Sequence, residues 1–179
     1  MFFYIKNFLT NRELDCIKKY IEYNVNNFIY IDKYDKQKSL ALFEQDDKSK
    51  SKAVLDIFLD LNKRVSQTIK EKFLVDIDTN FTFLGSIVKY EPGMFLHRHV
   101  DNPKASSNND NINRRSISSI IYYNDDYTGG EIYFNKQGFK IKPDPGSILI
   151  FSSYQPYEHE VLPVTSGSRY ITPSFWSLS

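Results

Sequence analysis

The chain has 179 residues, enough for one domain with a substantial core. Hydrophobic residues make up 41% and charged residues 25%, which excludes wholesale disorder, and a net charge of +1 gives no general attraction to nucleic acid or anionic membranes. A single cysteine, Cys16, excludes an intrachain disulfide and suits a cytoplasmic setting, and no stretch reaches the length of a membrane-spanning helix.

The opening residues, Met1 to Thr10, hold a short apolar run broken by Lys6 and Asn7, without the apolar region and cleavage site of a signal peptide. Thr10 followed by Glu13 has the pattern of a capping box, and Leu9 with Leu14 suits the hydrophobic staple around it. Leu14, Ile17 and Ile21 then share one helical face. From Tyr30 to Ser51 the chain is mixed and polar, with Lys alternating with Asp and Glu, and reads as solvated surface. A second helix is expected from about Lys52 to Lys72, where Val54, Phe58, Leu61, Val65 and Ile69 recur at helical spacing. Such stripes mark faces that pack on a sheet. Residues 1–75 therefore read as mostly helical support within one domain spanning 1–179.

From Phe81 the texture changes, and 81–179 reads as the core. Aromatic residues, 16% of the chain with 13 Tyr and 14 Phe, suit pleated strands. Candidate strands are Phe81–Tyr90, Phe95–Asp101, Ser116–Tyr123, Glu131–Phe134, Phe139–Lys142, Ser147–Phe151, His159–Leu162 and Arg169–Phe175. Pro92-Gly93, Gly129-Gly130, Pro145-Gly146 and Ser166-Gly167 punctuate them. The expected class is mainly β with supporting helices (α+β): a double-stranded β-helix, or jelly roll, packed against N-terminal helices. Asn102 to Arg115, long and Asn-rich, reads as a mobile loop over a site.

The chain has only three histidines, His97, His99 and His159. Residues two apart on a strand share a face, so His97, His99 and Asp101 would project together. A third ligand from a distant strand would complete a two-histidine, one-carboxylate site of the kind that holds non-haem Fe(II) with open positions. His99, Asp101 and His159 form the economical set; His97, His99 and His159 could instead hold Zn through three nitrogens. Arg169, about one hairpin beyond His159, has a planar fork suited to a carboxylate.

These residues sit in an ordered series of motifs. Tyr90-Glu91-Pro92-Gly93 precedes His99-Val100-Asp101-Asn102-Pro103, followed by Ile121-Tyr122-Tyr123-Asn124 and Gly129-Gly130-Glu131-Ile132-Tyr133-Phe134. Pro143 to Phe151, His159-Glu160-Val161-Leu162-Pro163-Val164, Gly167, Arg169 and Trp176 complete it, and Ile5 to Thr10 resembles an opening strand and helix cap. Together they resemble the prolyl 4-hydroxylase-like Fe(II)/2-oxoglutarate-dependent dioxygenases, with an iron motif similar to that of the hypoxia-sensing prolyl hydroxylases. The resemblance implies Fe(II) on His99, Asp101 and His159. It implies that Arg169 binds the distal carboxylate of 2-oxoglutarate, with Tyr123, Tyr90 and Thr172 beside it. It also implies O2 as cosubstrate, ascorbate as an auxiliary reductant, and Trp176, His97 and Arg98 near the substrate channel. The implied activity hydroxylates proline in a peptide or protein while 2-oxoglutarate is decarboxylated to succinate. The same chemistry on a free amino acid or other side chain, and a non-catalytic metal-binding sandwich, are the competing readings. No nucleic-acid or membrane partner is expected.

Overall fold

A computed structural model of the protein describes residues 2–32, 37–40, 48–83, 86–103, 112 and 114–179. Its strands are β1 (Phe2–Ile5), β2 (Ile29–Asp32), β3 (Gln37–Leu40), β4 (Ile77–Phe83), β5 (Ile87–Tyr90), β6 (Leu96–His99), β7 (Ile117–Tyr122), β8 (Thr128–Gly129), β9 (Ile132–Phe134), β10 (Phe139–Ile141), β11 (Ile148–Ser152), β12 (His159–Val161), β13 (Val164–Ser166) and β14 (Arg169–Leu178). The helices are α1 (Asn11–Tyr23) and α2 (Lys48–Phe73).

Helix α1 starts where the sequence places its cap. Thr10 accepts from the Glu13 amide at 3.3 Å, and the Glu13 carboxylate accepts from the Thr10 amide at 2.8 Å. The other Glu13 oxygen accepts from Arg64 at 2.6 Å, tying α1 to α2. Among the described residues no helix is long and apolar enough to cross a membrane.

The main sheet runs β1-β11-β7-β14-β5-β3-β2, with β4 also paired to β14; a smaller sheet runs β10-β9-β12-β6. The pairings are antiparallel. Side chains alternate across the main sheet and so divide between two cores. Ile117, Ile121, Ile148 and Ile150 face the helices, where they meet Ile17, Phe58, Leu61 and Ile69. Their neighbours Ile120, Tyr122, Leu149 and Phe151 point the other way and pack on Ile132, Phe134 and Val161 of the smaller sheet. This is a jelly roll, mainly β, with two supporting helices on its outer face.

Three expectations need adjustment. The single strand expected over Phe81–Tyr90 is two: the long β14 takes β5 beside Arg169 to Ile171 and β4 beside Phe175 to Leu178. The polar segment from Tyr30 contributes most of β2 and all of β3: β3 pairs with β5, and β2 pairs with β3 as the outermost strand at that end of the main sheet. The second helix begins at Lys48, a turn earlier than its apolar stripe announces.

Candidate active site

His99 and His159 become neighbours because β6 and β12 pair with these two residues directly opposite each other. Their rings lie 4.4 Å apart, centroid to centroid. His99 Nδ1 is 2.8 Å from the His97 carbonyl oxygen, and His159 Nδ1 is 3.0 Å from that of Tyr157. A carbonyl only accepts, so each Nδ1 carries the proton and each Nε2 presents a lone pair. Those lone pairs face Asp101: His99 Nε2 lies 3.2 Å from Oδ1, and His159 Nε2 lies 4.0 Å from Oδ2. One candidate ligand atom from each residue lies within 4.8 Å of the others.

Electrostatics sharpens this arrangement. Burial pulls His159 below its ordinary imidazole value, which favours the neutral, lone-pair form. Burial also pushes Asp101 up, but the adjacent His159 and His99 side chains and the hydrogen bond donated by Ser118 outweigh it, holding the carboxyl well below the usual range. Acceptors converging on one point need a shared cation, and two imidazoles with one carboxylate suit a divalent first-row metal. His97 is not in this group; its ring packs edge-on against Phe95 at 4.7 Å.

A cavity of about 560 Å³ joins the cluster to Arg169. Arg169 is 0% exposed, yet among the described residues none of its three guanidinium nitrogens has a hydrogen-bond partner. The guanidinium lies 4.8 Å from the Tyr90 ring centre and 5.3 Å from that of Tyr122. The Tyr122 and Tyr127 hydroxyls interact with its charge without reaching hydrogen-bond geometry. A buried cation lacking an acceptor costs several kcal/mol, so the site calls for an anion. Gly130, at φ +66°, allows this packing: a Cβ there would stand 3.2 Å from both Arg169 Cδ and the Tyr127 ring. On the less buried side, the Arg115 guanidinium lies 3.8 Å over the Phe175 ring.

Of the sequence-predicted residues, His97, His99, Asp101, His159, Tyr90 and Arg169 line this cavity. Four others do not. Tyr123 donates its hydroxyl to Thr172 Oγ1 at 2.8 Å on the helix-facing side of the sheet. Trp176 lies in that same core and donates to Ser119 at 3.0 Å. Arg98 faces Glu160 at 3.3 Å, outside the cavity. The reason is strand parity: Arg169 sits opposite Tyr90 and Ile171 opposite Tyr122, and cross-strand partners share a face. The tyrosine on the Arg169 side is therefore Tyr122, with Tyr123 turned away. Ser118, Arg115 and Phe175 also line the cavity without having stood out in the sequence. The cover expected over Asn102 to Arg115 falls mostly outside the described residues.

Residues 85–177, just over half of the chain, match the model of the 2OG-Fe(II) oxygenase superfamily. The chain belongs to that superfamily. Membership brings Fe(II), 2-oxoglutarate and O2 as the family's reaction partners. A PKHD-type hydroxylase of Prochlorococcus marinus is 32% identical over 134 residues, covering 69% of this chain and 58% of that protein. The chain spans about half the length of the curated relatives it matches. Two solved structures share the fold. A Pseudomonas putida prolyl-4-hydroxylase gives a TM-score of 0.74 at 17% identity, covering 98% of this chain and 91% of the other. A Trichoplax adhaerens prolyl hydroxylase, in complex with a hypoxia inducible factor oxygen degradation domain peptide fragment, gives 0.70 at 20% identity, covering 98% and 83%.

Proposed function

We propose that this chain is an Fe(II)- and 2-oxoglutarate-dependent hydroxylase acting on proline in a peptide or protein. His99, Asp101 and His159 are the metal ligands, and Arg169 grips the distal carboxylate of 2-oxoglutarate. The observation that carries the reading is that one cavity joins a cation-demanding donor cluster to a buried, unpartnered guanidinium. A dicarboxylate with a keto group answers both demands: one end can chelate the metal and the other meets Arg169 bidentately.

When bound, the iron supplies O2 activation coupled to oxidative decarboxylation of 2-oxoglutarate. The protein's contribution is positional. His97 and Tyr157 carbonyls set the two imidazole tautomers. Phe134 and Phe151 pack on the His159 ring at 5.4 and 5.0 Å and hold it. Tyr90 and Tyr122 flank the guanidinium and keep water from its faces. Exposed His97 and the Arg115–Phe175 pair line the same cavity as the donor cluster, where a substrate would meet them. The prolyl hydroxylases among its relatives and structural neighbours support the prolyl substrate class. Ascorbate belongs to this reading as an auxiliary reductant.

The test is incubation of the purified protein with Fe(II), 2-oxoglutarate, ascorbate and a proline-containing peptide library. Gain of one oxygen on a prolyl residue, matched by succinate, is expected. Succinate formation stimulated by free amino acids and by no peptide would move the substrate to the small-molecule class.

A further inference from the structure

Asp101 is held by a directed pair of hydroxyls. Ser118 Oγ donates to Asp101 Oδ2 at 2.5 Å, and the Ser118 and Ser153 hydroxyl oxygens are 2.7 Å apart. Ser118 Oγ is the donor to Asp101 Oδ2, and a serine hydroxyl has a single proton, so that proton is spent there. Ser118 then has only lone pairs left for Ser153, and Ser153 must be the donor between them. Each serine is 1% exposed, so water does not compete for these bonds.

The backbone keeps both donors in place. The Ser153 amide donates to the Ser116 carbonyl at 3.0 Å, and the Ser153 carbonyl accepts from the Asn102 amide at 2.9 Å. Ser153 thus orients Ser118 with its hydroxyl and holds the residue after Asp101 with its backbone. Asn102, 2% exposed, adds a side-chain bond to the Arg115 carbonyl at 2.6 Å. Ser118 belongs to β7 and Ser153 follows β11, two adjacent strands of the main sheet. His99 and His159 come from the smaller sheet. The hydroxyl pair is where the main sheet sets the carboxylate against the two imidazoles.

We propose that Ser118 and Ser153 are positioning residues for the metal site: they fix the rotation of the Asp101 carboxylate by satisfying Oδ2, leaving Oδ1 to the cation. This rests on reading the cluster as the metal site. Without the Ser118 donor the carboxylate turns freely and loses its single presented oxygen. Partners one bond removed from a metal ligand typically govern about 10- to 100-fold in affinity.

The experiment is Co(II) titration of the apoprotein, read by the visible ligand-field bands and by competition with a chelator. Wild type, Ser118→Ala, Ser118→Thr, Ser153→Ala and Asp101→Ala are compared. Ser118→Ala is expected to bind Co(II) about 10- to 100-fold more weakly with altered bands, and Ser118→Thr to recover most of the affinity. A folded Ser118→Ala with wild-type affinity and bands, while Asp101→Ala loses Co(II), would overturn the positioning role and leave the metal site standing. Wild type binding no better than Asp101→Ala would overturn the metal site and the positioning role with it. Should Ser118→Ala fail to fold, Ser153→Ala decides: a several-fold weaker affinity supports the hydroxyl pair, and an unchanged one overturns it.

Discussion

The two faces of the main sheet are built from alternate residues of the same strands, yet they do opposite things. The helix-facing side closes on itself: Ile117, Ile121, Ile148 and Ile150 meet the apolar stripes of both helices, and Tyr123 and Trp176 each donate to a buried hydroxyl. The cavity side leaves chemical demands open. Arg169 is buried without an acceptor, and imidazole lone pairs converge on a carboxylate. A fold stabilised on one face can carry electrostatic strain on the other, which is how a small jelly roll can keep a charged cavity in its interior.

Substitutions can break or sharpen this contrast. The largest effect belongs to Asp101→Ala, which removes the only carboxylate of the cluster. It should reduce 2-oxoglutarate turnover to background and abolish metal retention, measured as succinate formation and metal content; near-normal turnover would dismantle the site. On the other face, Phe58→Ala empties a position only 2% exposed. A loss of about 3–5 kcal/mol in denaturant unfolding is expected, with unchanged 2-oxoglutarate affinity for the folded protein.

Arg169→Met should separate the two currencies most clearly. The concentration of 2-oxoglutarate for half-saturation should rise about 100-fold, because charge-assisted hydrogen bonds to a carboxylate are lost. Thermal stability without 2-oxoglutarate should hold or rise, because a buried charge without an acceptor goes too. A large stability loss at unchanged half-saturation would make Arg169 a structural residue. The smallest effect belongs to Tyr123→Phe, which deletes the 2.8 Å bond to Thr172. About 1 kcal/mol of stability should be lost with no change in 2-oxoglutarate half-saturation. A tenfold rise in half-saturation would place Tyr123 in the cavity and erase the distinction between the faces.

The parts of this architecture that are legible in the sequence are those with local causes. The Thr10–Glu13 cap, the helical stripes and the breakers between strands depend on near neighbours, and they recur in the structure at nearly the expected places. The cluster is legible for a different reason: three histidines leave few ways to build it, and a two-residue spacing puts His99 and Asp101 within reach of each other. What is not legible depends on register. Tyr122 and Tyr123 are chemically identical neighbours, and only the pairing of Ile171 with Tyr122 decides which one shares the Arg169 face. The same one-residue ambiguity sends Thr172 and Trp176 to the helix side. Ser118 and Ser153 are 35 positions apart, and nothing in either residue announces that β7 and β11 bring them together beneath Asp101. β2 and β3 have four residues each, too few to display the two-residue alternation that reveals longer strands.

The central claim is that the cluster and Arg169 together take one molecule of 2-oxoglutarate across a bound Fe(II). An anaerobic visible spectrum of the iron-loaded protein, before and after 2-oxoglutarate, tests it most directly. The account predicts a broad charge-transfer band of the chelated keto acid that appears on addition and is absent in His99→Ala. A folded, iron-loaded protein that shows no band at saturating 2-oxoglutarate would contradict it.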